Sequence, residues 1–192
     1  MCGRYEMFIS PENREMMRIV EDIENKYGAK NNMRTGEIFP TNVVPILSCD
    51  SSNIMPELSI WGFPKFHSKG VIINSRAETA IDKPTFRKNL LERRCVIPST
   101  GFYEWKQDVS KKKYKFNLAD SENLYMAGIW NEFKNEKRFV ILTTAANNSM
   151  VDIHNRMPIV LQKEKIEDWI IDTDYAMMLL NEEQPVLERI EV

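Results

Sequence analysis

Cys2 is the residue with the most distinctive chemistry, because it follows Met1 and is itself followed by Gly3. A small second residue permits removal of the initiator methionine, which leaves cysteine at the start of the chain. Its α-amine, with a pKa near ~7.7–8.0, is then partly neutral and nucleophilic at physiological pH. Its thiol, near ~8.5, sits one carbon away. Amine and thiol on adjacent carbons suit one electrophile above others, an aldehyde. The amine condenses to a Schiff base, the thiol adds to the imine carbon, and a five-membered thiazolidine closes intramolecularly with little entropic opposition. Taken alone, a cysteine at this position is more often an incidental occupant of a frayed terminus.

Composition narrows what else the chain can be. It has 192 residues, 43% hydrophobic and 28% charged, with a net charge of −2. That length suits a single domain over 1–192 with a sizeable core. No apolar run is long enough to cross a bilayer, and no secretion signal follows Met1, so a cytoplasmic location is expected. Three cysteines (Cys2, Cys49 and Cys95) without a CxxC, and two histidines (His67 and His154), argue against a disulfide framework and against zinc. No metal or cofactor is expected. The near-neutral charge excludes a bulk electrostatic grip on nucleic acid, so any such contact must be a local basic patch.

Four further segments stand out: Asn74-Ser75-Arg76-Ala77-Glu78-Thr79; Arg93-Arg94-Cys95-Val96-Ile97-Pro98; Gly101-Phe102-Tyr103-Glu104-Trp105; and Asp152-Ile153-His154-Asn155-Arg156-Met157-Pro158. Together with Cys2-Gly3-Arg4 and Trp61-Gly62, met in order from Cys2 to about Leu161, they closely resemble the SRAP (SOS response-associated peptidase) family. The segment ending in Pro40 keeps that family's proline but lacks its usual Tyr-Asn, and the segment after Asn181 is shortened or altered.

The resemblance implies a covalent thiazolidine crosslink between Cys2, after Met1 removal, and abasic sites in single-stranded DNA, shielding them during replication-associated repair. It also implies a weak lyase side reaction from the same Schiff base, and autopeptidase activity at Met1–Cys2. Under it, Glu104 shuttles protons, His154 bonds the sugar or carries a proton, and Asn74 orients the Cys2 amine or the deoxyribose. Without it, these three read as a solvent-facing strand carboxylate, a loop histidine and a strand-end asparagine. Arg4, Arg76 and Arg156 are the expected phosphate ligands, with salt bridges to Glu6, Glu78 or Asp152 as the alternative. Arg76 leads, because two residues along a strand share a face with Asn74. Trp61 and Pro40, with Phe39 and Met157, are expected to form an apolar shelf for flanking bases, or else to lie in the core. A thiol peptidase using Cys2, Glu104 and His154, and a non-catalytic single-strand binder, are the competing readings. A monomer is expected, with no membrane partner.

The elements that must position these residues are legible as patterns. Ser10 and Pro11 read as the cap and first position of a helix whose apolar face is Met16, Ile19, Val20, Ile23 and Tyr27, ending at Gly28. Strands are expected at Val43–Leu47, Leu58–Phe63, Val71–Ile73, Cys95–Pro98, Phe102–Trp105, Tyr114–Asn117, Tyr125–Trp130 and Phe139–Thr144, with a turn at Gln107–Lys113. Short helices are expected at Thr85–Glu92, around Trp169 and at Tyr175–Leu180. The sum is an α+β fold with mainly antiparallel sheets in a barrel-like core and peripheral helices.

Overall fold

The computed structural model describes residues 2–50, 53–66 and 68–192; Met1 and His67, both named above, lie outside the described residues. The first part of the chain runs β1 (Arg4–Met7), α1 (Arg14–Tyr27), β2 (Gly36–Ile38), β3 (Val43–Asp50), β4 (Asn53–Trp61), β5 (Phe63–Pro64), β6 (Val71–Ile72) and β7 (Asn74–Arg76). It continues through α2 (Ala77–Ala80), α3 (Pro84–Glu92), β8 (Arg94–Ser99), β9 (Gly101–Trp105), β10 (Lys113–Asn117), β11 (Leu124–Phe133) and β12 (Glu136–Ala145). Last come β13 (Arg156–Pro158), β14 (Val160–Leu161), α4 (Ile166–Ile171), α5 (Thr173–Leu179) and β15 (Glu188–Glu191). Among the described residues no helix is long and apolar enough to cross a membrane.

Five strands close a ring in the order β12–β4–β3–β8–β11, because β11 pairs back onto β12. An odd number of strands cannot alternate direction around a closed ring, so one neighbouring pair must run parallel. That pair is β12 with β4, where Phe139 lies beside Trp61. β7 also joins β12 in parallel, with Asn74 beside Ile141. A second sheet, β15–β10–β9–β1–β2, is antiparallel throughout. The expected α+β architecture is therefore present.

Strand parity divides the interior into two cores. Cys95, Ile97, Met126, Phe139 and Ile141 pack with Tyr5, Phe102 and Phe116 of the second sheet. The intervening residues Val96, Ala127, Ile129, Val140 and Leu142 pack with Phe86, Leu90, Trp169 and Leu179 of the helices. Burial on both faces explains why β8, β11 and β12 read as nearly continuous apolar runs. Arg94, 3% exposed, ties the helical layer down. Its guanidinium donates to the carbonyls of Leu90 (2.9 Å), Leu91 (2.7 Å), Trp169 (2.6 Å) and Ile170 (3.1 Å), most of them left open by helix ends.

The first helix starts later than the sequence implies. Ser10 and Pro11 form a turn, and Asn13 is the cap, its side chain accepting from the Met16 amide at 3.1 Å. The Ser10 hydroxyl instead accepts from the Asn13 amide, fixing the approach. Tyr27 is exposed, its ring beside the Lys26 ammonium, because the last turn of α1 runs past the core. At Gly101 a side chain is excluded: φ is +149° and a Cβ would lie 2.7 Å from the Phe116 carbonyl oxygen. This glycine lets β9 start tightly against β10, and β9 carries Glu104.

Candidate active site

Cys2 leads directly into β1, which runs antiparallel to β9 with Arg4 opposite Tyr103 and Tyr5 opposite Phe102. Carrying that register one step further places Gly3 opposite Glu104. Phe102 and Glu104, two apart on one strand, share the inward face, so the carboxylate points into the interior and is 4% exposed. The solvent-facing alternative for Glu104 is thereby excluded.

From the other side comes Asn74. Its amide nitrogen donates to the Cys2 carbonyl at 2.9 Å, while its Oδ1 is buried without a hydrogen-bond partner among the described residues. The preceding Ile73 carbonyl receives the Ile141 amide (3.1 Å) and the Trp61 indole N–H (3.0 Å), which hold this strand end in place.

His154 is brought in by the loop between β12 and β13. That loop is braced by Ala146 N–H to the Asn155 carbonyl (3.0 Å), His154 N–H to the Met150 carbonyl (3.0 Å) and Gln107 N–H to the Ile153 carbonyl (3.1 Å). The last of these links it to the end of β9. His154 Nδ1 accepts the Arg156 amide N–H at 2.9 Å, so in the neutral ring the proton resides on Nε2. Burial holds the imidazole below its ordinary pKa, against an opposing pull from the Glu104 charge. Burial likewise pushes the Cys2 thiol well up, and the Glu104 charge pushes it the same way. Glu104 thus acts electrostatically on both Cys2 and His154, and Asn74 bonds Cys2. The four residues expected to carry chemistry form one cluster. A cleft of about 560 Å³, lined by Glu6, Phe8, Asn13, Thr100 and Lys115, lies elsewhere.

The expected DNA ligands are placed less uniformly. Arg76 ends β7 and is exposed, with no hydrogen bond from its guanidinium among the described residues. Arg4 pairs with Glu37 at 2.9 Å rather than with Glu6, and its guanidinium lies 3.6 Å from the centre of the Phe39 ring. Glu6 is engaged by Lys115 and the Tyr103 hydroxyl. Asp152 pairs with Arg189, leaving Glu78 as the partner of Arg156.

The shelf expectation needs correction at two positions. Trp61 is fully buried, stacked on Phe139 at 6.4 Å and tilted against Tyr5 at 5.2 Å. Met157 is fully buried too. Both belong to one core cluster: β4 is a strand of the closed ring, and β13, on the sheet's edge beside β12, turns Met157 into the same interior. Phe39 is 44% exposed and Pro40 beside it is half-buried. Trp105 completes an outward-facing aromatic group with Phe39 around Arg4, 5.5 Å from the guanidinium. Sequence reasoning missed Trp105, although parity carried the signal: one residue beyond an inward Glu104 faces outward.

A family model described as SOS response associated peptidase (SRAP) matches residues 1–191. The abasic site processing protein YoqW of Bacillus subtilis is 34% identical over 203 residues, covering 94% of this chain and 86% of that protein. The abasic site processing protein YedK of Escherichia coli is 31% identical, covering 88% and 79%. The Gallus gallus abasic site processing protein HMCES is 30% identical, over 56% and 41%. A crystal structure from Bacteroides thetaiotaomicron superposes with a TM-score of 0.79 at 21% identity, over 100% of this chain and 92% of that one, a likeness of fold.

Proposed function

The chain belongs to the SOS response-associated peptidase family, and from that premise we propose that it captures abasic sites in single-stranded DNA through a thiazolidine on Cys2. The relatives named for abasic site processing support a role in abasic-site DNA repair. The observation that carries the finer reading is the Asn74–Cys2 hydrogen bond of 2.9 Å, which pins the start of the chain beside Glu104 and His154.

With Met1 removed, the Cys2 nitrogen changes from an amide to an amine. The amine attacks the aldehyde of the ring-opened sugar, and its proton passes to Glu104. Glu104 returns that proton to the alkoxide, giving the carbinolamine, and then relays the remaining N–H proton to its hydroxyl, so that water leaves and the neutral imine forms. The Cys2 S–H then adds across C=N: sulfur bonds to carbon and the proton goes to nitrogen, leaving a neutral ring. His154, neutral with its proton on Nε2, donates to a sugar oxygen. A single strand exposes the aldehyde without the cost of extrusion from a duplex. Phosphates are held by arginines and bases stack on Phe39 and Trp105, so base identity is read little. A thiol peptidase needs a thiolate at rest, and the burial that pushes the Cys2 thiol up opposes it.

The test incubates the processed protein with a single-stranded oligonucleotide bearing one abasic site, read on denaturing gels and by intact mass. The expected result is a heat-stable adduct one water lighter than the sum of protein and DNA. Cys2→Ala and Cys2→Ser, which keep the α-amine and lack the thiol, give no heat-stable adduct, only an imine that borohydride traps. A heat-stable adduct formed by Cys2→Ala at the wild-type rate refutes the proposal.

A further inference from the structure

Arg156 is one of the arginines assigned above to phosphate, yet its fork is already filled. Nη1 donates to Glu78 Oε1 at 2.5 Å and Nη2 to Glu78 Oε2 at 2.9 Å, the two-pronged geometry that a phosphate would also accept. We infer that the Glu78 carboxylate is a displaceable stand-in for a DNA phosphate in the Arg156 fork, and that it keeps the affinity for intact single strands low. This rests on the reading of the chain as a single-strand binder.

Three observations distinguish this arrangement from a plain structural ion pair. The partners differ in exposure: the Arg156 side chain is 13% exposed and that of Glu78 is 47%. Glu78 therefore has room to swing into water, whereas Arg156 does not. Second, Arg156 is anchored independently, since Nη2 also donates to the Thr143 carbonyl at 2.5 Å, and its Nε is buried without a partner among the described residues. Departure of Glu78 leaves the guanidinium in position with donors to spare. Third, the fork adjoins the reactive cluster, because the amide of the same Arg156 bonds His154 Nδ1. The exposed Arg76, two residues before Glu78 and close enough that its charge helps hold that carboxyl below the usual range, offers a second cation to the same phosphate.

The physical consequence is competition. An arriving phosphate must displace a carboxylate, so non-covalent binding is weakened, and strands are retained chiefly where a covalent bond can form. A half-exposed ion pair is worth up to about 1 kcal/mol, which corresponds to about a two- to fivefold change in affinity.

The test measures anisotropy of an intact labelled single strand, without any abasic site, in a Cys2→Ala background and across a salt series. Glu78→Gln is expected to bind about two- to fivefold tighter at low salt, with the gain shrinking as salt screens the ion pair that the wild type must break. The gain is expected to vanish when Arg156→Gln is added. Unchanged or weaker binding by Glu78→Gln overturns the inference. So does a gain that survives loss of Arg156, which would make the effect one of net charge alone. If Glu78→Gln lowers the melting temperature, Glu78→Ser is read by the same criteria. Failure of the wild type to modify abasic strands would refute the proposed chemistry, whereas this measurement on intact strands would still decide the role of Glu78.

Discussion

Replacing Asn74 probes the contact on which the proposed chemistry turns. Asn74→Ala removes the donor that meets the Cys2 carbonyl at 2.9 Å, and at a position 9% exposed little water enters to replace it. A buried acceptor left unsatisfied costs about 1–3 kcal/mol. If that cost falls on the positioning of Cys2, crosslinking slows by about fivefold to two-hundredfold. Asn74→Asp makes the test sharper. At neutral pH it sets a carboxylate oxygen against the carbonyl oxygen and near Glu104, so it should be at least as slow as Asn74→Ala. Desolvation and the neighbouring charge raise the pKa of the new carboxyl, and once protonated it can donate to the Cys2 carbonyl as the amide did. The rate of Asn74→Asp relative to wild type should therefore recover as pH falls, while that of Asn74→Ala should stay flat. The assay is single-turnover crosslinking to an abasic oligonucleotide on denaturing gels between mildly acidic and neutral pH. Wild-type rates for Asn74→Ala, or identical pH profiles for the two variants, would refute the reasoning.

Three further outcomes are expected. Arg94→Met removes four hydrogen bonds to helix-end carbonyls and should cost about 2–4 kcal/mol in chemical denaturation while leaving residues 2–7 in place; a loss under 1 kcal/mol would show that water satisfies those carbonyls. Trp61→Ala should cost about 3–5 kcal/mol of stability as a core cavity, whereas a variant that keeps its melting temperature and loses only DNA affinity would restore the shelf role. His154 is held below its ordinary pKa of 6.5 in the folded chain, so the unfolded chain binds more protons as pH falls through that value. Stability should therefore decline on acidification below about pH 6.5, and decline less in His154→Gln; equal slopes for the two proteins in pH-dependent melting would count against a buried neutral imidazole.

Much of the architecture is written locally. Short runs of apolar and β-branched residues mark β3, β8, β9, β10, β11 and β12, and 3.6-residue spacing marks α1, because these signals are local and hold whatever lies beyond them. Elements of two to four residues, such as β1, β2, β7 and β13, are too short for any period to register. Yet two of them deliver Arg4 and Asn74. Their existence depends on partners far along the chain, β9 and β12.

The candidate site divides the same way. Residue identity alone supplies the paired nucleophiles of a processed Cys2 and the proton-handling groups of Glu104 and His154. Which way Glu104 faces, which His154 nitrogen holds the proton, and whether an aromatic ring is a shelf or a strut depend on neighbours remote in sequence. Trp61 and Trp105 are chemically equivalent side chains with opposite fates: one is enclosed by Tyr5 and Phe139, the other is turned outward by the pleat of β9. The partners of the arginines were undetermined for the same reason. Arg4 chooses Glu37 over Glu6 because β2 lies alongside β1, and a charge pairs with whatever the fold brings within reach.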